Sequence, residues 1–319
     1  MLKDKINYCG DLLNFLGEEN LSVSILFVTR DKENDSYNVF KGNISDEIGK
    51  TLQDLCLKLS NKSYKSPEKK IFEKYNPANK GNKHTEFLEE DDIKDIEPIL
   101  DLFDSGLIDL KKLDKGFLEN LWFYVIKLES PNHKALFLKK YSKGMVLTKS
   151  FSLAMSFKGG DFDKLKHDIF MIASKIDCIY FRNKLIIRCK GNFEKIFKFF
   201  KKIKNNALSA IGVIENLPFK INNIKQFKET CLNHEMMVRK LNNIYSRDTI
   251  VKIKPEGIES LIKTGIIKNI SIEKNQNGDF VLNSSDPWKI LNILDDDYVK
   301  SLLTDIPYEA SEKREIKQD

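Results

Sequence analysis

Side chains capable of metal or nucleophilic chemistry are few in this chain, and their spacing brings none of them together. The four histidines, His84, His133, His167 and His234, share no ligand spacing with one another or with the five cysteines, Cys9, Cys56, Cys178, Cys189 and Cys231. A zinc site is built from closely spaced Cys and His pairs, and no such pair occurs. An odd cysteine count without a CxxC reads as free thiols in a reducing compartment. Gly49-Lys50-Thr51 has the ending of a phosphate-binding P-loop, but Ile44 stands where that motif places its first glycine, and the tripeptide falls inside an amphipathic helical pattern. Asp295-Asp296-Asp297 offers carboxylates for a divalent cation. The commoner use of such a run is the first turn of a helix, expected here to lead into Tyr298, Val299, Leu302 and Leu303. A restriction-type nuclease holds magnesium with an Asp at a strand end and a Glu-x-Lys on the next strand. Asp177 lies in a strand pattern, but Glu194-Lys195 lacks the intervening residue and falls on a helix. These patterns predict no catalytic residue, no metal ligand and no cofactor.

Charge is the feature that stands out. The formal net charge is only +6, but its distribution is uneven. Residues 86–119 hold twelve acidic and four basic side chains, whereas 182–254 hold seventeen basic and five acidic. Within 182–204 the basic residues Arg182, Lys184, Arg188, Lys190, Lys195, Lys198, Lys201, Lys202 and Lys204 face only Glu194. Solvated helix faces usually mix signs, because like charges three and four apart repel. A phosphate backbone is the natural partner of such a block, and an acidic protein surface is the alternative. The acidic region reads as an interaction surface or as a cover for the basic one.

The elements that must carry these side chains follow from periodicity. Residues 21–30 and 37–44 alternate as two strands, and Ser45 caps a helix with Ile48, Leu52, Leu55 and Leu59 on one face. Residues 61–85 read as a polar loop, followed by a partly helical acidic stretch with Pro98 near a helix start. LWFYVIKLE and HKALFLKKY form strands around a Ser130-Pro131-Asn132 turn. The hairpin 176–190 is expected to turn at Asn183-Lys184, which sets Cys178 opposite Cys189 and Tyr180 opposite Ile187. Phe193, Ile196, Phe197, Phe200 and Ile203 predict one helix over 192–206, with Lys195, Lys198 and Lys202 along its outer stripe. Ile224, Phe227, Cys231, His234, Val238, Leu241 and Tyr245 form an a/d seam predicting one long helix, 223–246, with His234 as a hydrogen-bonded core residue. A helix at 255–263, a hairpin turned at Asn277-Gly278, and two short helices follow, the first capped by Asp286 before Pro287. The charged tail 311–319 is expected to fray. No apolar run reaches the ~18–20 residues of a membrane helix, and no signal-peptide h-region follows the N-terminus, so a cytoplasmic location is expected.

The segment IDCIYFRNKLIIRCKGNFEKIFKFF resembles the strand–turn–strand–helix core of KwaB-like proteins of the Kiwa anti-phage system. The segment LNILDDDYVKSLLTDIPYEASEK resembles that family's closing region, in Asp296-Asp297-Tyr298, Ser301, Leu303-Thr304 and Tyr308. The resemblance spans roughly residues 115–315. It implies a cytosolic homodimer that binds phage DNA without an established reaction. It also implies work at the inner face of the membrane through a small multi-pass membrane protein, KwaA. No DNA-contacting residue is carried over from the family, so the DNA-binding candidates rest on charge position: Arg182, Lys184, Arg188, Lys190, Lys195, Lys198, Lys201 and Lys202.

The expected fold is α+β: an antiparallel meander with packed helices over 116–319, preceded by a smaller N-terminal α/β region over 1–115. The expected function is sequence-independent DNA binding in anti-phage defence. A nuclease or nucleotide-processing enzyme with a dispersed metal site, and a scaffold docking an acidic partner, are the alternatives.

Overall fold

The structure is a computed structural model, and it describes residues 2–31, 33–64, 72–77, 85–88, 90–112, 115–147, 155–158, 161–164, 169–247, 250–301 and 306–310. The fold is α+β and divides into two units, one of residues 1–75 and 82–198, the other of 76–81 and 199–319.

The first unit opens with α1 (Leu2–Leu16), β1 (Ser22–Arg30), β2 (Tyr37–Gly42) and α2 (Asp46–Tyr64). Then come β3 (Phe72–Lys74), β4 (Thr85–Leu88), α3 (Glu90–Ile93), α4 (Glu97–Leu100), β5 (Ile108–Asp109) and α5 (Lys115–Asn120). The long hairpin β6 (Leu121–Glu129) and β7 (Lys134–Lys140) is followed by the short strands β8 (Val146–Leu147), β9 (Met155–Lys158), β10 (Asp161–Lys164) and β11 (Ile169–Phe170). The unit closes with β12 (Cys178–Phe181), β13 (Lys184–Ile187) and α6 (Lys190–Ile196).

Nine of these strands form one sheet in the order β3-β4-β13-β12-β7-β6-β1-β2-β5. N-terminal β1 pairs along its length with β6, so the expected division near residue 115 runs through a hydrogen-bonded sheet. Apolar burial explains this: Ile25, Ile126, Phe137, Ile179 and Ile186 form one cross-strand row that needs both halves of the sequence. Against that face pack Tyr8, Leu12, Phe15 and Leu16 of α1 with Leu52 and Cys56 of α2. Helix α1 was not foreseen, although Cys9, Leu12 and Leu16 carry its buried stripe. Ser45 caps α2 as expected, its Oγ accepting from the Ile48 N–H at 3.3 Å. Gly49 lies inside α2, where a Cβ would meet Val23 of β1 at 3.6 Å, an ordinary van der Waals contact. The buried face of α2 runs through Leu52, Cys56 and Ser60, and Ile48 is exposed.

The β12–β13 hairpin differs from expectation by two residues in its register. Arg182 and Asn183 both have positive φ, 43° and 55°, a two-residue turn of the primed kind that suits strand twist. Cys178 therefore faces Ile187, Tyr180 faces Leu185, and Cys189 lies beyond the ladder. A two-residue slip preserves side-chain parity, so Cys178, Tyr180, Leu185 and Ile187 share one face as read from the sequence. Both faces of the hairpin are buried, because the strands lie inside the nine-stranded sheet.

The second unit contains α7 (Phe199–Glu215), β14 (Phe219–Ile221), α8 (Ile224–Asn233), α9 (Glu235–Arg247), α10 (Pro255–Lys263), β15 (Ser271–Lys274), β16 (Phe280–Asn283), α11 (Pro287–Leu294), β17 (Tyr298–Lys300) and β18 (Pro307–Glu309). Its core joins Ile211, Phe219, Phe227, Leu241, Leu282 and Leu291. The turn at Gly278, with φ +83°, and the Asp286 cap, accepting from Trp288 N–H at 3.0 Å, stand as the sequence indicated.

Two predicted helices are each divided. The helix expected over 223–246 breaks at His234, whose backbone is extended. His234 is exposed and lies edge-on to the Trp288 ring at 5.8 Å, so it is not a core histidine. The helix expected over 192–206 breaks at Lys198, described below. The run Asp295–Asp297 ends α11 instead of starting a helix, and Tyr298 to Lys300 are a strand. His84, His167, Leu302, Leu303 and the tail 311–319 lie outside the described residues.

Candidate nucleic-acid interface

One end of the nine-stranded sheet gathers cations from four segments and an indole ring from a fifth. There β1 ends at Arg30, β6 begins beside Trp122, β7 ends at Lys139 and Lys140, β13 runs out to Arg188, and α6 begins at Lys190. Asp177 organises this end. Its carboxylate accepts from Lys139 Nζ at 2.9 Å and from the Lys140 N–H at 2.8 Å, while its carbonyl accepts from the N–H groups of Arg188 and Cys189. Asp177 is buried, so it serves as an anchor holding the ends of β7 and β13 in place.

Trp122 is the centre of the cationic group. Its ring has Lys140 Nζ 3.7 Å and Arg30 Cζ 4.9 Å from the centroid, and its indole N–H donates to the Lys195 carbonyl at 3.2 Å. Lys140 also donates to the Trp122 carbonyl at 2.7 Å. Burial, then the nearby Lys195 charge, pull the Lys140 ammonium down to about 8, opposed by Asp177 and helped least by Arg30. Lys195 and Arg188 are exposed, and neither has an ion-pair partner among the described residues.

Helix α6 ends at this group because Lys198 adopts a left-handed backbone with φ +54°. That conformation is unfavourable for a residue with a Cβ. Local contacts offset it: Lys198 Nζ meets the Asp35 carboxylate at 2.5 Å and lies 4.4 Å from the Tyr37 ring centroid, and Tyr37 approaches the Ile196 carbonyl at 3.5 Å. Asp35 also binds Arg30 at 2.9 Å, and the two cations hold its carboxyl below the usual range.

The eight residues proposed from charge position fall in three places. Arg188, Lys190, Lys195 and Lys198 come together at the sheet end just described, with Lys190 paired to Glu86 at 3.3 Å and 5.2 Å from the Tyr75 ring. Arg182 and Lys184 lie at the opposite end of the hairpin, where Arg182 pairs with Asp11 and Lys184 is 5.8 Å from the Tyr8 ring. Lys201 and Lys202 belong to the second unit, on α7, with Lys202 Nζ 5.4 Å from the Phe199 ring. The single lysine stripe over 192–206 is therefore absent, since Lys195 precedes the break and Lys202 follows it. Arg30, Trp122 and Lys140 were missed. The available signal was that each stands at or next to the end of a strongly apolar strand, and strand ends are where a sheet exposes side chains.

From the acidic region, Glu86 forms an ion pair with the basic block, through Lys190. Asp104 instead pairs with Lys127 and Lys134, and Asp92 with Lys74. Among the described residues no group of His, Cys, Asp and Glu is arranged to hold a metal ion, and no helix is long and apolar enough to cross a membrane.

The family model described as "Kiwa protein KwaB-like" matches residues 118–304. Neither a curated protein nor a solved structure matches the chain.

Proposed function

Since the chain belongs to the KwaB-like family of Kiwa proteins, and with it to anti-phage defence, we propose that it binds DNA through the sheet end around Trp122. The observation that carries this reading is the convergence of Arg30, Lys140, Arg188, Lys195 and Lys198 there, countered by Asp35 and by an Asp177 already engaged. Lysine and arginine at strand ends and a short helix meet phosphates without reading base edges, so affinity is independent of sequence and steeply dependent on salt. The protein acts by occupancy, as the defence partner of a KwaA-like membrane protein. It works as a homodimer in the cytoplasm.

Fluorescence anisotropy with duplexes of unrelated sequence tests the reading. Equal affinities that fall together as salt rises support it, whereas no binding at low salt overturns it. Incubating plasmid with the protein and magnesium or manganese separates binding from nuclease action, which cleavage would reveal.

A further inference from the structure

Within the basic surface one sub-site is built differently from the rest. Arg188 reaches into solvent as an ordinary surface cation, but Lys140 is half-buried against an indole ring with no carboxylate within ion-pair distance among the described residues. The groups facing it come from every neighbouring segment. Arg30 comes from β1, the ring and carbonyl of Trp122 from β6, Lys195 from α6, and Asp177 from the segment before β12. Asp177 spends its carboxylate on Lys139 Nζ and the Lys140 backbone N–H, and Asp35 lies on Arg30 and Lys198. The result is three cations at one aromatic plate, of which Arg30 is paired to Asp35 while Lys140 and Lys195 have no ion-pair partner among the described residues.

We propose that Arg30, Lys140 and Lys195 around Trp122 form a seat for a single phosphate group, and that filling the seat draws a proton onto Lys140. This deepens the DNA-binding reading by assigning one phosphate a fixed place. The proton linkage follows from charge. In the empty seat, burial and the two neighbouring cations disfavour the third positive charge, leaving Lys140 about half protonated near pH 8. An anion reverses the balance, because an opposite charge within ~4–6 Å favours the ammonium. Bound Lys140 returns toward the ordinary lysine value of ~10.4, and the reaction takes up the missing proton from solvent. The seat takes a phosphodiester, since a phosphate oxygen accepts from Arg30 and both lysines, while an apolar ligand would leave their donors unmet.

Calorimetry of the full-length protein with a defined duplex, in buffers of different ionisation enthalpy at pH 8, measures the linkage. The expected result is uptake of about half a proton for each filled seat, and a fall in affinity of about tenfold between pH 7 and pH 9. Lys140→Arg keeps the charge at all these pH values and should bind DNA with neither effect. A second arm follows the Lys140 ammonium by NMR with dimethyl phosphate, a lone phosphodiester that does not titrate in this range. Its midpoint should rise. Duplex binding with no proton uptake in the wild type, or an equal pH dependence in Lys140→Arg, overturns the seat and leaves DNA binding standing. A raised midpoint with dimethyl phosphate but no duplex binding does the reverse. No response in either arm overturns both.

Discussion

Lys198 and Asp35 form an ion pair, 2.5 Å between Nζ and Oδ1, that ties the left-handed end of α6 to the turn between β1 and β2. The same carboxylate holds Arg30 at 2.9 Å. One acidic side chain therefore restrains two of the cations assigned to DNA. Asp35→Asn should release both and strengthen binding, steepening the log–log salt slope by up to about 1.8 if each reaches a phosphate. Because Lys198 and Arg30 hold the Asp35 carboxyl low, the wild-type restraint persists at every pH used for binding. Salt-dependent anisotropy decides the matter, and an Asn variant that folds normally yet binds no more tightly contradicts it.

Lys140 makes stability and binding respond oppositely to pH. Its folded value of about 8 lies below the unfolded lysine value of ~10.4. Between these values the unfolded chain binds more protons, so this residue's contribution to stability rises with pH in that window and is unfavourable below pH 8. DNA affinity should fall over the same range. Chemical denaturation at pH 7 and pH 9.5 should show Lys140→Met gaining more stability over wild type at pH 7 than at pH 9.5. Equal gains at both would contradict the assignment.

The second unit contains a buried charge cluster that supports its fold. Lys240 of α9 pairs with both Asp295 and Asp297, while Asn243 donates to Asp295 at 3.0 Å and Arg247 meets it at 3.1 Å. Both aspartates and Lys240 are buried. Removing one partner of a buried pair leaves uncompensated charge and costs about 3–5 kcal/mol. Lys240→Met should lose stability of that order in urea unfolding, without change in the DNA salt slope. A loss below about 1 kcal/mol would show that water or rearrangement satisfies the carboxylates.

The longer strands β1, β2, β6 and β7 and the hairpin β12–β13 were readable as apolar or alternating runs with a polar turn beside them, whereas β3, inside the expected loop 61–85, and β17, inside an expected helix, were not. Ser45, Pro98, Gly278 and Asp286 marked their turns and caps by known chemistry. The misreadings share a physical cause. Lys198 and His234 interrupt helices at positions without glycine or proline, and the apolar spacing from Phe193 to Ile203 and from Phe227 to Leu241 continues across each break. Tertiary contacts decide such a break: for Lys198 they are Asp35 and Tyr37, more than 150 residues upstream. The β12–β13 register failed because Arg182 and Asn183 adopt positive φ without a glycine to announce it. Four cations of the basic cluster, Arg188, Lys190, Lys195 and Lys198, were legible in the block 182–204. Arg30 and Lys140, with Trp122, come from distant strands that only sheet pairing brings beside it.

The most direct test compares two double variants of equal charge. Arg188→Gln with Lys195→Gln removes exposed cations at the Trp122 end of the sheet, and Arg182→Gln with Lys184→Gln removes the same charge at the opposite end of the hairpin. The quantity measured is the slope of log affinity for a fixed duplex against log salt concentration. The account predicts a slope flatter by up to about 1.8 for the first variant and close to wild type for the second. An unchanged slope for the first, or equal flattening for both, would contradict DNA binding at the Trp122 end.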